Sequence, residues 1–569
     1  MSRLANAAGL RASVFIVLIF GLLAPIGAGI LQTGLAALGH MPALGAIGLS
    51  LAPWQALFDQ PGLWRAIQLS LFTGIGSTVI AVAISLALAA SIHPGLHSRR
   101  VGRWLIAFLA TPHAAIAIGL AFVLSPSGWI ARLLAPLTGG QQPALWGQAL
   151  DAYGLGLILG LLIKEMPFLL LMMLSALSQI PLQRYRAIGY SLGYDHATLW
   201  LKLVVPALWP LIRLPVMVVL AYALSNVDMA LILGPTNPPV LAVMLMRLFA
   251  DPDILLRLPA SAGALLQGAM AVSAFAALLA VERLVARLGK TWIRRGQRSR
   301  WPAALAKPAL GAASLMIGLG SLAILSMLLW SVAWRWSWPH WLPSQWSLQA
   351  WYGGHQALLQ TLGNTLWLAA ATTLMALALA IAWLEAEDRR ARDRARWTEW
   401  LIYLPLLIPQ IAFLQGLSVL FLRLGLNTGM LAVIWAQALF VFPYVMITLS
   451  DPWRALDPRL SRSAASLGAS PIKQLLRVKL PVLLTPLLTA AALGVSVSVA
   501  QYLPTLFMGG GRVATLTTEA VTLASAADRR VTGVYTSLQA GLPLAAYALA
   551  FAIPALRRRR WRQSETISP

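Results

Sequence analysis

The 569 residues are 59% hydrophobic and only 11% charged, with a mean hydropathy of +0.74, where a soluble chain carries about a quarter charged residues. The formal charge of +25 does not mark a nucleic-acid binder, because 32 of the 43 Lys and Arg lie in seven short stretches between apolar runs, with no interleaved stacking aromatics. With no cysteine, disulfides and thiolate metal sites are excluded.

Apolar blocks of about 20 residues, each able to cross a hydrocarbon core of about 30 Å, recur along the chain. Spans are predicted at 12–32, 66–92, 104–125, 154–178, 203–233 and 261–281. A second set follows at 309–333, 363–385, 399–422, 429–450, 482–506 and 534–556. The first run, behind Arg3 and Arg11, is too long for a leader's apolar core and is read as an uncleaved helix. Basic stretches at 93–103, 181–202, 283–307, 389–396, 454–479 and 557–562 fall at every second junction, which places both termini in the cytoplasm of a multi-pass inner-membrane protein. The same stretches suit anionic membrane lipid. The expected fold is all-α and polytopic, about twelve transmembrane helices in two parallel six-helix repeats: a first domain at 1–282, a basic cytoplasmic linker at 283–308, and a second domain at 309–569. The tryptophans from Trp330 to Trp351 are most simply an aromatic belt at the outer face.

The two sets repeat in sequence. Leu192-Gly193 and Leu467-Gly468 are each followed by Pro thirteen residues after the Gly, at Pro206 and Pro481, an offset of 275. That offset persists from Gly234 to Gly509 and from Leu241 to Leu516. Earlier, Pro112 with Gly119-Leu120 parallels Pro409 with Gly416-Leu417 at an offset of 297, so the first half carries a longer external loop around 125–153. A shared offset over so many residues implies duplication.

Between the fourth and fifth spans of each half lies a polar, helix-prone segment that Gly interrupts. A short helix, a Gly-permitted turn and a second short helix are expected there, with Pro opening the next span. This pattern resembles the EAA loop of binding-protein-dependent ABC importer permeases, E-A-A-x-x-L-G followed by Pro. The second copy is the fuller, with Ala464, Leu467, Gly468 and Pro481; the first has Ala187, Ile188 and Gly189 at the E-A-A places, and Arg462 replaces Glu in the second. The resemblance covers nearly the whole chain, in the duplicated layout of the ferric-iron and thiamine type, and 501–518 looks closest to the YnjC-like branch. It implies a translocation subunit with no cofactor, coupled through two loops to separate ATP-binding-cassette ATPase subunits and supplied by a periplasmic solute-binding protein. The solute is left open among iron(III), thiamine, polyamine and oxyanion.

No catalytic constellation stands out. Gly289-Lys290-Thr291 lacks the glycine a phosphate-binding loop needs upstream, and the seven His are not paired for a metal. Charges inside spans are the candidate translocation residues, because hydrocarbon penalises them. Lys164 and Glu165, in the fourth span, either neutralise each other or line a path. Asp228 is expected near the outer end of the fifth span; the corresponding place in the second half holds Leu503, beside Gln501 and Tyr502. The competing reading is a twelve-span secondary transporter driven by an ion gradient, which also shows internal symmetry. It leaves the duplicated Leu-Gly…Pro segments without a role.

Overall fold

The computed structural model describes residues 13–91, 108–139, 152–296, 301–389, 396–426, 428–525 and 528–565. The basic stretch at 93–103, most of 389–396 and the N-terminal arginines therefore lie outside the described residues.

Helices dominate. In the first half they are α1 (Ser13–Ala37), α2 (Leu63–Ser91), α3 (His113–Leu124), α4 (Trp129–Thr138), α5 (Leu155–Leu177), α6 (Leu182–Ser191), α7 (His196–Ser225), α8 (Asp228–Leu233), α9 (Leu241–Ala250) and α10 (Arg257–Arg294). The second half contains α11 (Trp301–Val332), α12 (His355–Asp388), α13 (Arg396–Leu407), α14 (Ile411–Arg423), α15 (Met430–Arg454), α16 (Pro458–Ser466), α17 (Pro471–Val482), α18 (Leu484–Ala500), α19 (Leu503–Gly509), α20 (Leu516–Ala524) and α21 (Arg529–Glu565). Among the described residues ten helices are long and apolar enough to cross a membrane, twelve if each of two bent pairs is one span. An even number of spans per half returns the chain to the face it left, so the repeats are parallel.

The structure refines several boundaries. The third spans were expected to be continuous, but the chain breaks at the matched prolines. Pro112 is extended at ψ 152° just before α3, and α13 meets α14 at 103° across Pro409. Proline lacks the N–H for the i→i−4 bond and its ring crowds the preceding turn. The fifth spans also end early. Helix α7 stops at Ser225, Asn226 is extended at ψ 131°, and α8 starts afresh; Gln501 and Tyr502 make the same break between α18 and α19. Most of the stretch taken as a linker is helical, since α10 runs to Arg294 and α11 begins at Trp301.

Packing units do not follow the halves. One core, rich in residues of α2, α3, α5 and α7, takes in Ala313, Met316 and Ala323 of α11. A second, rich in α12, α14 and α15, takes in Val14, Leu18, Leu22 and Ile26 of α1. Each first helix thus lies against the other half's third span. The repeated glycines explain how. A Cβ on Gly119 would sit 2.3 Å from the Ala323 carbonyl oxygen, and one on Gly416 would sit 2.1 Å from that of Gly29. Only a residue without a side chain lets the backbones cross this closely.

The tryptophan patch folds as a short antiparallel hairpin, β1 (Ala333–Arg335) with β2 (Gln345–Trp346). Arg132 of α4 holds it, donating to the carbonyls of Ser337 at 2.8 Å and His340 at 2.6 Å. Arg132 also lies over the Trp336 ring, and Arg529 and Arg530 lie over Trp330 and Trp334. The rings of Trp330, Trp334 and Trp336 thus meet the chain's own guanidinium groups, whereas Trp341 and Trp346 are exposed.

Candidate coupling loops and translocation site

The two Leu-Gly segments have the same backbone. In the first, Gly193 N–H donates to Tyr190 C=O and Tyr194 N–H to Gly189 C=O, at 2.9 and 3.0 Å. In the second, Gly468 N–H donates to Ala465 C=O and Ala469 N–H to Ala464 C=O, both at 3.0 Å. This is the Schellman pairing that ends a helix with a left-handed residue, and Gly193 and Gly468 supply it with φ of 72° and 80°. Asp195 and Ser470 then cap the next helix, accepting from Thr198 and Lys473 N–H. Each loop is a short helix, a tight turn and a second short helix.

Pro206 and Pro481 do not open the spans as expected. A π-helical turn, Trp200–Val204 in one copy and Leu475–Lys479 in the other, precedes each proline inside a helix already under way. The widened turn accommodates a ring that would crowd a regular one. The copies then diverge: α7 continues without a break, whereas α17 meets α18 at 80° after Pro481.

Both loops present apolar side chains to the outside. Leu467 is 88% exposed and the matched Leu192 47%, with Ile188, Tyr190 and Ile472 also exposed. Arg462 is exposed too, where the resemblance would place Glu. The two loops are tethered differently. Behind the second, buried Lys479 sits 2.7 Å from Glu385 and 3.0 Å from Asp388, at the end of α12. Arg389 pairs with Glu385, Arg454 pairs with Glu387, and Trp453 donates to Asp388. Behind the first, a His196 ring nitrogen lies 2.9 Å from the Ala90 carbonyl, and the Lys202 ammonium lies over the Tyr194 and Trp292 rings.

Deeper in the bundle a polar seam runs between the halves. Lys164 and Glu165 are both 3% exposed, yet no ion pair joins them among the described residues. Lys164 instead donates to the carbonyls of Phe108 at 2.7 Å, Leu109 at 3.3 Å and Thr111 at 2.5 Å. These carbonyls precede the Pro112 break and have lost helical partners, so the ammonium caps an interrupted span. Three residues before Pro443, where Lys164 stands before Pro167, the second half has Phe440.

Asp228 lies just past the end of α7. It opens α8 after the break, buried, accepting from Asn226 Nδ2 at 2.9 Å and Tyr222 Oη at 3.5 Å. Tyr222 of α7 thus lies against Asp228, while Glu165 is buried midway along α5 and Tyr444 lies on α15. Tyr502 of the second half shares a core with Val227, the residue before Asp228, and the His113 ring lies 4.5 Å from that of Tyr222. Of the sequence candidates, Asp228 and Tyr502 thus stand at the matched breaks of the two halves. Gln501, buried beside Tyr502, has its carbonyl bonded by the Thr505 hydroxyl. His113, Tyr222 and Tyr444 carried no sequence signal. The Glu385–Lys479 tether did carry one, as carboxylates are few in a chain with 18 in all.

The duplication reaches single hydrogen bonds. Leu241 N–H donates to Ser70 Oγ at 2.8 Å, and Leu516 N–H to Thr365 Oγ1 at 2.9 Å, each fixing the start of a short helix beyond a broken fifth span.

Two parallel helical halves that exchange first helices around a polar seam, each with an exposed helix–turn–helix loop, define a membrane transport permease. A sequence profile described as the binding-protein-dependent transport system inner membrane component matches residues 378–556, which contain the loop around Gly468. The inner membrane ABC transporter permease protein YnjC of Escherichia coli K12 is 32% identical over 502 residues, 88% of this chain and 90% of that protein. The chain therefore belongs to the family of multi-pass inner-membrane permease subunits of ABC transporters. Shorter similarities reach the putrescine transport system permease protein PotI of E. coli K12, 27% identical over 183 residues, 30% of this chain and 64% of that one. The molybdenum transport system permease protein ModB of Mycobacterium bovis is 28% identical over 206 residues, 34% and 75% of the two chains. The secondary-transporter reading falls with this membership.

Proposed function

We propose that the chain carries a solute inward, taking it from a periplasmic solute-binding protein and drawing power from ATP-binding-cassette subunits on separate chains. In this reading 1–282 and 309–569 are the two permease domains, 283–308 joins them on the cytoplasmic side, and both termini are cytoplasmic. Leu192, Gly193, Pro206, Ala464, Leu467, Gly468 and Pro481 belong to loops that seat in the ATPase and turn its closure into movement of α7, α17 and α18. Lys164, Glu165, Asp228, Gln501 and Tyr502 belong to the seam that opens in response, with Lys164 keeping the broken third span intact.

The observation that carries this is the recurrence of one turn geometry in both halves, each turn ending on an exposed leucine and leading through a π-helical turn into a span. A loop needed only to re-enter the membrane has no use for an exposed apolar tip. The basic residues around both loops support a cytoplasmic placement. Relatives do not fix the solute, because the names of two specify putrescine and molybdenum.

The absence of native cysteine makes the test direct. Single cysteines at Leu192 and Leu467 should cross-link to a co-purifying ATPase, and Gly193→Val with Gly468→Val should release it. Uptake on an ion gradient alone, without any ATPase, would refute the proposal.

A further inference from the structure

The tip of the second Leu-Gly loop carries charge of nearly one sign. Residues 457–477 hold Arg459, Arg462, Lys473 and Arg477 against a single acid, Asp457. That acid is already engaged, its carboxylate capping α16 by accepting the Arg459 N–H at 2.9 Å. All four basic residues are exposed, and none forms an ion pair among the described residues. A cytoplasmic loop is expected to be basic, but topology does not say where in the loop the charges stand. Behind the tip the chain supplies partners: Arg454 is paired with Glu387, and Lys479 with Glu385 and Asp388. Around the tip the four cations are left open.

These cations frame an apolar surface. Arg459 and Arg462 are three apart on α16, and Lys473 and Arg477 four apart on α17, so each pair shares a helix face. Leu460, Leu467, Ile472 and Leu476, all exposed, occupy the neighbouring sectors. A membrane surface takes an apolar stripe along a helix that lies flat. Here the apolar side chains straddle a tight turn at Gly468, a convex point that fits a pocket in a folded partner. The first loop is a weaker version. Ile188, Tyr190, Leu192 and Arg184 are exposed, and its acid, Asp195, caps the next helix.

We infer that the second Leu-Gly loop docks in an apolar pocket rimmed by carboxylates on the ATP-binding-cassette subunit, with Leu467 in the pocket and Arg459, Arg462, Lys473 and Arg477 against the rim. The inference rests on the import reading and adds the charge of the surface that receives the loop. Acids opposite these cations steer the encounter and offset the cost of covering them.

The probe is the ATPase subunit that a single cysteine at Leu467 captures, purified and titrated against the full-length permease in nanodiscs. Its affinity falls as salt rises, since screening weakens contacts between exposed charges. Arg462→Glu weakens binding about tenfold at low salt, and Arg462→Gln less. Thermal unfolding of the permease alone does not change in either variant, which a merely structural role for Arg462 would not allow. A carbodiimide, which joins an amine to a carboxylate in contact with it, couples Lys473 to an Asp or Glu of the subunit, as mass spectrometry reads. Lys473→Arg binds as the parent does and does not couple. If the loop rests on anionic headgroups instead, Arg462→Glu leaves ATPase binding unchanged and alters unfolding only in nanodiscs of anionic lipid, which overturns the inference. Tighter binding by Arg462→Glu, or binding indifferent to salt, overturns it too, while a captured ATPase keeps the import reading. If no ATPase is captured at Leu467, the import reading fails and this inference with it.

Discussion

Replacing Lys479 with Met should loosen one of the two Leu-Gly loops and leave the other alone. Lys479 is 7% exposed and bridges Glu385 and Asp388, linking the start of α17's span to the end of α12. Removing one partner of a fully buried pair costs about 3–5 kcal/mol. Here Arg389 remains 3.0 Å from Glu385, Trp453 still donates to Asp388, and the Asp388 side chain is 35% exposed. A loss of about 2 kcal/mol is therefore expected, or about thirtyfold more frequent local opening. Hydrogen–deuterium exchange in nanodiscs reads this directly: amides of 471–482 should exchange about thirtyfold faster, and those of 182–204 at the parent rate. Lys479→Arg keeps the charge and should restore most of the protection. Uptake per ATP hydrolysed should fall in the Met variant while ATPase retention does not. Unchanged exchange at 471–482, or equal acceleration in both loops, would refute the claim that this network tethers the second loop alone.

Other expectations follow from single contacts. Gly468→Val forces a β-branched residue to φ 80°, costing about 1–2 kcal/mol, and should reduce ATPase co-purification without changing membrane insertion. Gly119→Leu drives a side chain into the Ala323 carbonyl and should lose at least about 1–3 kcal/mol, seen as a shorter thermal half-life in detergent-solubilised protein. Lys164→Met strips three carbonyls of their donor and should cost about 2–3 kcal/mol of stability, with the preference among solutes unchanged in uptake competition. Arg132→Ala frees the hairpin around Ser337 and His340, which limited proteolysis of the purified protein should then cut between β1 and β2.

Much of this architecture is legible in the sequence because hydrocarbon imposes a simple rule. Spans such as 154–178 are long apolar runs even with Lys164 and Glu165 in them, and the structure begins and ends α5 within a residue of that span. The coupling loops are legible because a left-handed turn needs Gly and leaves a Leu-Gly mark twice. The breaks are harder to see. Asn226-Val227 and Gln501-Tyr502 are short, and nothing in hydropathy separates an interrupted span from a long one. Prolines mislead in both directions: Pro112 and Pro409 end helices, whereas Pro206 lies inside one because a π-helical turn makes room for it. Lys164 beside Glu165 suggests an ion pair, but helix geometry sends neighbouring residues to different sides, and the ammonium finds carbonyls that only the fold exposes. The exchange of first helices leaves just a pair of glycines in the sequence, whose partners lie hundreds of residues away.

That exchange has a consequence for how the protein is made. Helix α1 meets Phe413 of the second half through Gly29, and the two positions are 384 residues apart (413 minus 29). At about 5–20 residues per second the ribosome needs about 20–80 s to supply the partner. During that time α1 can meet only helices of its own half, such as α10, whose Ala260 and Ala264 share a core with Ala37, while the face that meets Phe413 stays in lipid, open to wrong neighbours. Biogenesis of this permease therefore includes a late docking step, in which α1 completes its packing only after the third span of the second half has been made.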